Sequence, residues 1–337
     1  MENILELDNV CKVFNGFALQ NVSFSLKKGY IMGFIGPNGA GKSTTIRCIM
    51  DLVHIDSGNI KLFGVDYHKN LKALKQRVGF VYDQDVFFED LSVEKNKKII
   101  SLFYNTWDDD IFYRYANEFN IPLTKPVKHL SKGTKMKFAL AIALSHHAEL
   151  IIMDEPTTGL DPVFRKELLD ILKDIIKDKD KAIFFSTHIT TDLEQIADFI
   201  TFILDGKILF CKQTEELLKQ YVIITGPLNL KEVVQASQPI SFKETSLGFE
   251  AFFETSRATE IISKYNLSFK KPSLEEIMYY FTAVDYPKLG ILLPYIRAYS
   301  NKTAAISDFH SRGSCPEKKR RTNERKVRDE VVRFSVR

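Results

Sequence analysis

Two kinds of apolar spacing run along this chain. Tyr30–Ile35 (Y-I-M-G-F-I), Val78–Tyr82, Leu150–Met153 (L-I-I-M) and Ala182–Thr187 (A-I-F-F-S-T) are short, nearly continuous apolar runs, the pattern of strands buried on both faces. Between them lie stretches with helical spacing: Thr44 onward, Leu71–Arg77, about Ser92 to Asn120, Lys135–Ser145, the stripe Phe164, Leu168, Ile171 and Ile175 behind Pro162, and Thr191–Ala197. Pro122 and Pro126 interrupt the chain before Ser131. Apolar strands alternating with helices predict a mostly parallel α/β sheet with helices packed on it. Ile4–Leu7, Val22–Leu26 and Asn59–Phe63 alternate instead, which suits an antiparallel sheet beside the first. Phe199–Leu204 and Lys207–Cys211 flank Asp205-Gly206, a two-residue hairpin signal. After Tyr221 the pattern changes. Val222–Thr282 reads as a small α+β module with Gly226-Pro227 as a hinge, Gly248–Phe253 as a strand, and a capping box at Ser273 and Glu276.

Composition adds bounds. With 337 residues, 45% hydrophobic and 27% charged, the chain has room for two domains and a large core. No apolar run approaches the roughly 18 residues of a membrane span. The four cysteines form no C-x-x-C pair and read as small apolar fillers in a reducing compartment. The net charge of +4 conceals an asymmetry, because 13 Lys/Arg but only 5 Asp/Glu fall from Tyr286 to the last residue. The body is therefore mildly acidic. Residues 286–337, with the cluster Lys318-Lys319-Arg320-Arg321 and no apolar periodicity, are expected to form a disordered basic tail.

The candidate chemistry centres on Gly36-Pro37-Asn38-Gly39-Ala40-Gly41-Lys42-Ser43-Thr44, which matches G-x-x-x-x-G-K-[ST], the phosphate-binding loop of nucleotide hydrolases. It follows a buried strand and opens a helix, so backbone N–H groups and a helix N-terminus would face a triphosphate. Lys42 is expected to reach the β- and γ-phosphates and Ser43 to offer its hydroxyl to Mg²⁺. Further elements follow in order. Asp154, at the tip of a fully apolar strand, can hold Mg²⁺ directly or through water. The adjacent Glu155 can polarise a water in line with the γ-phosphate. Ser131, in Leu130-Ser131-Lys132-Gly133-Thr134, opens a helix whose N–H groups make an anion site. Thr158-Gly159-Leu160-Asp161 comes just after the acidic pair. His188, directly after a buried strand, is a candidate γ-phosphate sensor, since imidazole can donate to that oxygen.

In this order, phosphate loop, Ser-x-Gly helix start, acidic pair and His, the chain resembles the nucleotide-binding subunit of ABC transporters over residues 1 to about 220. The segment Leu130–Lys137 is similar to the signature of bacterial drug- and peptide-antibiotic exporters. The resemblance implies a P-loop NTPase fold with a mostly parallel sheet, an antiparallel β subdomain and a helical subdomain (about 84–145), followed by the small module (221–285). It implies ATP and Mg²⁺ as cofactors, with Phe14 stacking on adenine and Lys42, Glu155 and His188 as the catalytic set. It also implies a head-to-tail dimer in which Ser131 and Gly133 touch the nucleotide of a second ATP-binding subunit, in a homo- or heterodimer. The metal set would be Ser43, Asp154 and one of Asp83 and Gln84, because the position usually held by Gln carries Asp83 with Gln84 next.

The implied partner is an integral membrane permease, which would hold the chain at the cytoplasmic face of the membrane. Phe87, Phe88 and the helical segment to Asn120 are docking candidates, with core packing the alternative for the two phenylalanines. No nucleic-acid partner is expected. The rival reading, a non-transport ABC-type ATPase acting on the ribosome or nucleic acid, fits less well. There is a single phosphate loop, and no sustained heptads separate Gly36 from Ser131. Lys132 departs from the usual Gly. It is read either as a cation acting across the dimer or as an ordinary first helical residue pointing to solvent.

Overall fold

The computed structural model describes residues 2–82 and 87–283. The expected tail at 286–337 lies outside them. The described chain forms two units, one ending at Leu217 and the other beginning at Leu218. In chain order the first contains β1 (Asn3–Phe14), β2 (Phe17–Lys27), β3 (Ile31–Ile35), α1 (Lys42–Ile49), β4 (Ser57–Leu62), β5 (Val65–Asp66), α2 (Leu71–Lys75), β6 (Val78–Val81), α3 (Val93–Ser101) and α4 (Asp109–Glu118). It continues through α5 (Lys132–Ser145), β7 (Leu150–Asp154), α6 (Pro162–Ile175), β8 (Ala182–Thr187), α7 (Thr190–Ile196), β9 (Phe199–Leu204), β10 (Lys207–Gln213) and into α8 (Thr214–Gln220).

The apolar runs become a six-stranded sheet of order β10-β9-β3-β8-β7-β6. All its pairings are parallel except β9–β10, which the Asp205-Gly206 turn joins. Both turn residues have positive φ, 46° and 74°, as the favoured hairpin twist requires. Strands β3, β7 and β8 are buried along their whole length, consistent with helices on both faces. The alternating segments form a four-stranded antiparallel sheet of order β2-β1-β4-β5. It shares one core with the central sheet, where Phe24 stacks on Phe184 at 5.5 Å.

The stretch expected to be helical from Ser92 to Asn120 is two helices. Ser92 caps α3, and Asp108 caps α4 by accepting a hydrogen bond from the Ile111 N–H at 3.0 Å. A short polar side chain at each start competes for the backbone, so the helix stops at Leu102 and begins again. Lys97 staples the pair: it is almost fully buried, 2.7 Å from Asp109 and 4.7 Å from the ring centre of Tyr113.

The second unit is a four-stranded antiparallel sheet of order β12-β13-β11-β14, from β11 (Tyr221–Gly226), β12 (Ser241–Thr245), β13 (Gly248–Glu254) and β14 (Ser268–Lys270). Helices α9 (Lys231–Ala236) and α10 (Thr255–Tyr265) close a core of Val222, Ile224, Phe249, Ala251 and Phe253. On the opposite face Phe252 stacks on Tyr221 at 5.0 Å and on Tyr280 of α11 (Leu274–Ala283) at 4.7 Å. The capping box forms reciprocally. Ser273 Oγ accepts from the Glu276 N–H at 3.2 Å, and Glu276 Oε2 accepts from the Ser273 N–H at 2.9 Å. Gly226, expected at a hinge, instead closes β11 opposite Phe249. A Cβ there would stand 2.7 Å from the Phe249 ring, so the glycine serves packing.

The register of the central sheet sets up the site. Ile35 lies level with Thr187, and Asp154 with Ser186. The residues that follow β3, β7 and β8 therefore gather at one edge, the carboxyl ends of the strands, where ligands of open α/β sheets bind.

Candidate nucleotide site

The phosphate loop leaves β3 and becomes α1 at Lys42. Gly36 and Gly41 are dictated by what surrounds them, and Gly39 by its positive φ of 81°. A Cβ on Gly36 would stand 2.3 Å from the Ile203 carbonyl oxygen, and Gly41 has φ 114° with the Leu19 side chain 2.8 Å from where its Cβ would be. The β9–β10 turn braces the loop: the Gly206 N–H donates to Ala40 O at 2.9 Å, while Gly206 O accepts from the Gln20 N–H at 2.8 Å. A Cβ on Gly206 would come within 1.9 Å of Ala18 O. Gly206→Ala is therefore expected to cost about 2 kcal/mol or more and to loosen the phosphate loop. A lower melting temperature together with weaker ATP affinity would register both effects.

Lys42 is 6% exposed. Its ammonium donates to Gly36 O at 2.8 Å and lies 3.3 Å from Pro37 O and 3.3 Å from Glu155 Oε1. Asp154, 4% exposed at the end of β7, accepts from Ser186 Oγ at 2.6 Å. Burial pushes its carboxyl above the usual range, while hydrogen bonds from Ser186 and Ser43 pull it back toward the ionised form. Among the described residues no group of three or more His, Cys, Asp or Glu is arranged to hold a metal ion by itself. One buried carboxylate beside the Ser43 hydroxyl does fit Mg²⁺, which is commonly held by one or two carboxylates together with substrate phosphates.

Glu155 has φ 51°, a left-handed backbone that costs a non-glycine residue about 1–3 kcal/mol. Its N–H donates to Ser186 O at 3.0 Å, which holds that geometry. The side chain is fixed as well. Oε2 accepts from Thr158 Oγ1 at 3.0 Å and from His188 Nδ1 at 2.8 Å. A carboxylate can only accept, so this contact puts the proton on Nδ1. Lys42, Glu155 and His188, brought from three separate strand ends, thus form one connected group.

The other expected residues fall elsewhere. Ser131 caps α5, its Oγ accepting from the Thr134 N–H at 3.1 Å. Gly133 is buried against Phe164 of α6, whose ring carbons would stand 2.8 Å from an added Cβ. Lys132 is exposed, as the first helical residue of α5. Its ammonium lies along Gly159 of its own chain, 3.7 Å from where a Cβ on that glycine would be. Lys132→Gly is accordingly expected to change the ATPase rate by less than roughly tenfold, whereas Ser131→Arg should nearly abolish it. Steady-state turnover of the two variants separates the cases. Phe14 sits at the β1–β2 hairpin, 41% exposed, with the Lys12 ammonium 5.7 Å from its ring centre. Asp83 and Gln84 lie outside the described residues. Phe87 is buried, 4.5 Å from the Phe138 ring, but Phe88 is exposed. The wholly buried Asn96 holds the Phe88 backbone at both N–H (2.8 Å) and C=O (3.0 Å).

The sequence pattern assigns no role to Ser186, Asn96 or Arg165, and marks Gly206 only as a hairpin residue, not as a brace of the phosphate loop. Of the first three, only Ser186 left a signal, as a hydroxyl within an otherwise apolar buried strand. Arg165, in the first turn of α6, donates from Nε to Asp192 Oδ1 and from Nη2 to Thr191 Oγ1 at 3.0 Å.

A phosphate loop at the tip of a parallel strand, a histidine at the tip of the adjacent strand β8 and a buried Asp followed by Glu at the tip of β7, one strand further on, define an ATP-hydrolysing P-loop class. The chain belongs to the ATP-binding subunits of ABC transporters, and its work is transport-coupled ATP hydrolysis. The ABC transporter family profile matches residues 19–158. The bacitracin transport ATP-binding protein BcrA of Bacillus licheniformis is 33% identical over 214 residues, 62% of this chain and 69% of that protein. The lantibiotic transport ATP-binding protein SrtF of Streptococcus pyogenes is 33% identical over 213 residues, 62% of this chain and 91% of that protein. A solved ATP-binding subunit of an ABC transporter matches with TM-score 0.59 and 25% identity, covering 64% of this chain and 92% of that one. Among the described residues no helix is long and apolar enough to cross a membrane.

Proposed function

We propose that this chain powers export of a peptide antibiotic or similar drug through a separate integral membrane permease, at the cytoplasmic face of the membrane. The observation that carries the reading is the connected group Lys42–Glu155–His188 beside the Asp154–Ser186 pair. The names of the relatives, bacitracin and lantibiotic transport, support the substrate class. In this reading the loop from Gly36 to Thr44 wraps the triphosphate and Lys42 neutralises the β- and γ-phosphates. Glu155 orients and polarises the attacking water, and His188, held through Nδ1, presents Nε2 to the γ-phosphate. Ser43 and Asp154 hold Mg²⁺, which when bound neutralises charge on the phosphate oxygens. Phe14 stacks on the adenine.

The working form is a head-to-tail dimer with a second ATP-binding subunit, the Ser131–Gly133 helix start closing over the partner's nucleotide. Phe88, exposed on a backbone fixed by Asn96, is the anchor for the permease. Affinity purification from native membranes tests the partner. An integral membrane protein should co-purify, and its reconstituted complex should show ATPase activity that rises with bacitracin- or lantibiotic-type peptides. A ribosome or nucleic-acid complex in its place would favour the non-transport ATPase.

A further inference from the structure

The hydrolytic histidine has no helix of its own to fix it, since it sits in the turn between β8 and the short helix α7. Helix α7 packs on the sheet through the buried Leu193, against Gly33 of β3, and its first turn is held from α6. Asp192 is 1% exposed. Its Oδ1 accepts from Arg165 Nε, and its Oδ2 has no hydrogen-bond partner among the described residues, so the guanidinium is the cation beside this buried charge. The second arm of Arg165 reaches Thr191 Oγ1 at 3.0 Å, making a two-point grip on the first turn of α7. Arg165 is itself anchored, its N–H donating to Asp161 O at 2.9 Å, and Asp161 caps α6 through the Val163 and Phe164 N–H groups. The next residue back, Phe164, packs on Gly133 of α5. One turn of helix therefore meets α5 through Phe164 and α7, the helix that follows the histidine, through Arg165.

We propose that Arg165 is a positioning residue for hydrolysis: its grip on Asp192 and Thr191 sets the place of His188 and, through the Nδ1 contact, of Glu155. The inference rests on the reading that Glu155 and His188 serve hydrolysis. Arg165 touches neither of them and no reacting atom, so its effect must pass through α7. A misplacement of a catalytic group by about 1 Å can cost on the order of a hundredfold in rate.

The test is a double-mutant cycle on kcat with MgATP, using the full-length chain. Arg165→Lys keeps the charge but cannot grip at two points, and is expected to lower kcat by roughly tenfold to a hundredfold with ATP affinity unchanged. Combined with His188→Ala, it should produce no further loss. If removal of Arg165 alone unfolds the chain by stranding the Asp192 charge, the uncharged pair Arg165→Met with Asp192→Leu leaves no buried ion and enters the same cycle. Losses that multiply with that of His188→Ala would overturn the inference, as would a fall in ATP affinity equal to the fall in kcat. Normal turnover in both His188→Ala and Glu155→Gln would instead overturn the site reading on which it rests.

Discussion

Lys42→Ala should reduce ATP turnover by on the order of a thousandfold and weaken nucleotide binding as well. Two losses combine. The β- and γ-phosphates lose their main protein cation, and charge stabilisation of this kind is worth roughly 10²–10³ in rate for a single donor. The loop also loses its internal brace, because the ammonium holds Gly36 O at 2.8 Å and faces Glu155 at 3.3 Å in a nearly water-free position. Removing one partner of a buried ion pair leaves the other uncompensated, so Glu155 should move and the melting temperature fall slightly. Steady-state ATPase and nucleotide titration on purified protein check the result, with circular dichroism to show that the fold survives. Near-normal turnover would remove this loop from the active site.

Glu155→Gln should separate binding from chemistry. The amide is nearly the same size, and its carbonyl oxygen can still accept from Thr158 and His188, so the strained backbone at φ 51° remains supported. It cannot accept a proton from the attacking water, a role typically worth 10²–10⁴-fold. ATP should therefore bind and persist, and the head-to-tail dimer should accumulate with MgATP as a shift to larger size in exclusion chromatography. A variant that stays monomeric under every nucleotide condition would count against the sandwich arrangement. Comparison with Lys42→Ala sharpens the result, since only the lysine variant is expected to lose affinity.

The relatives and the motif order together narrow the class. Phe88 is an exposed aromatic whose backbone is held by the buried Asn96, and in the proposed docking role that rigidity would lower the entropic cost of using it as an anchor. Its neighbour Phe87 has the opposite fate against Phe138. Two adjacent phenylalanines look equivalent in a sequence. Only the direction of the backbone, set by Asn96, separates core from surface.

What the sequence determined by itself was local. Continuous apolar runs specified β3, β7 and β8, because a strand covered on both faces has no polar position to spare. Alternation marked the antiparallel sheet, Asp205-Gly206 marked the hairpin, and the Ser273–Glu276 box marked the last helix, each through chemistry within a few residues. The phosphate loop, Asp154-Glu155 and His188 were legible for the same reason: each is a side-chain type at a strand end. The tertiary structure decided what these ends do to one another. Parallel register brings Ile35 level with Thr187 and Asp154 level with Ser186, so Asp154 and Glu155 share hydrogen bonds with Ser186 and His188 of another strand end, and Glu155 meets Lys42 from a third. Spacing does not record sheet order, and so it could not show the Gly206 brace, the Arg165 grip or the Asn96 clamp. It also missed the break between α3 and α4, where capping by Asp108 outweighs a helical pattern that continues on both sides. Hydrophobic period fixes which face of an element is buried. Which other element buries it is a through-space choice, settled only when the strands pair.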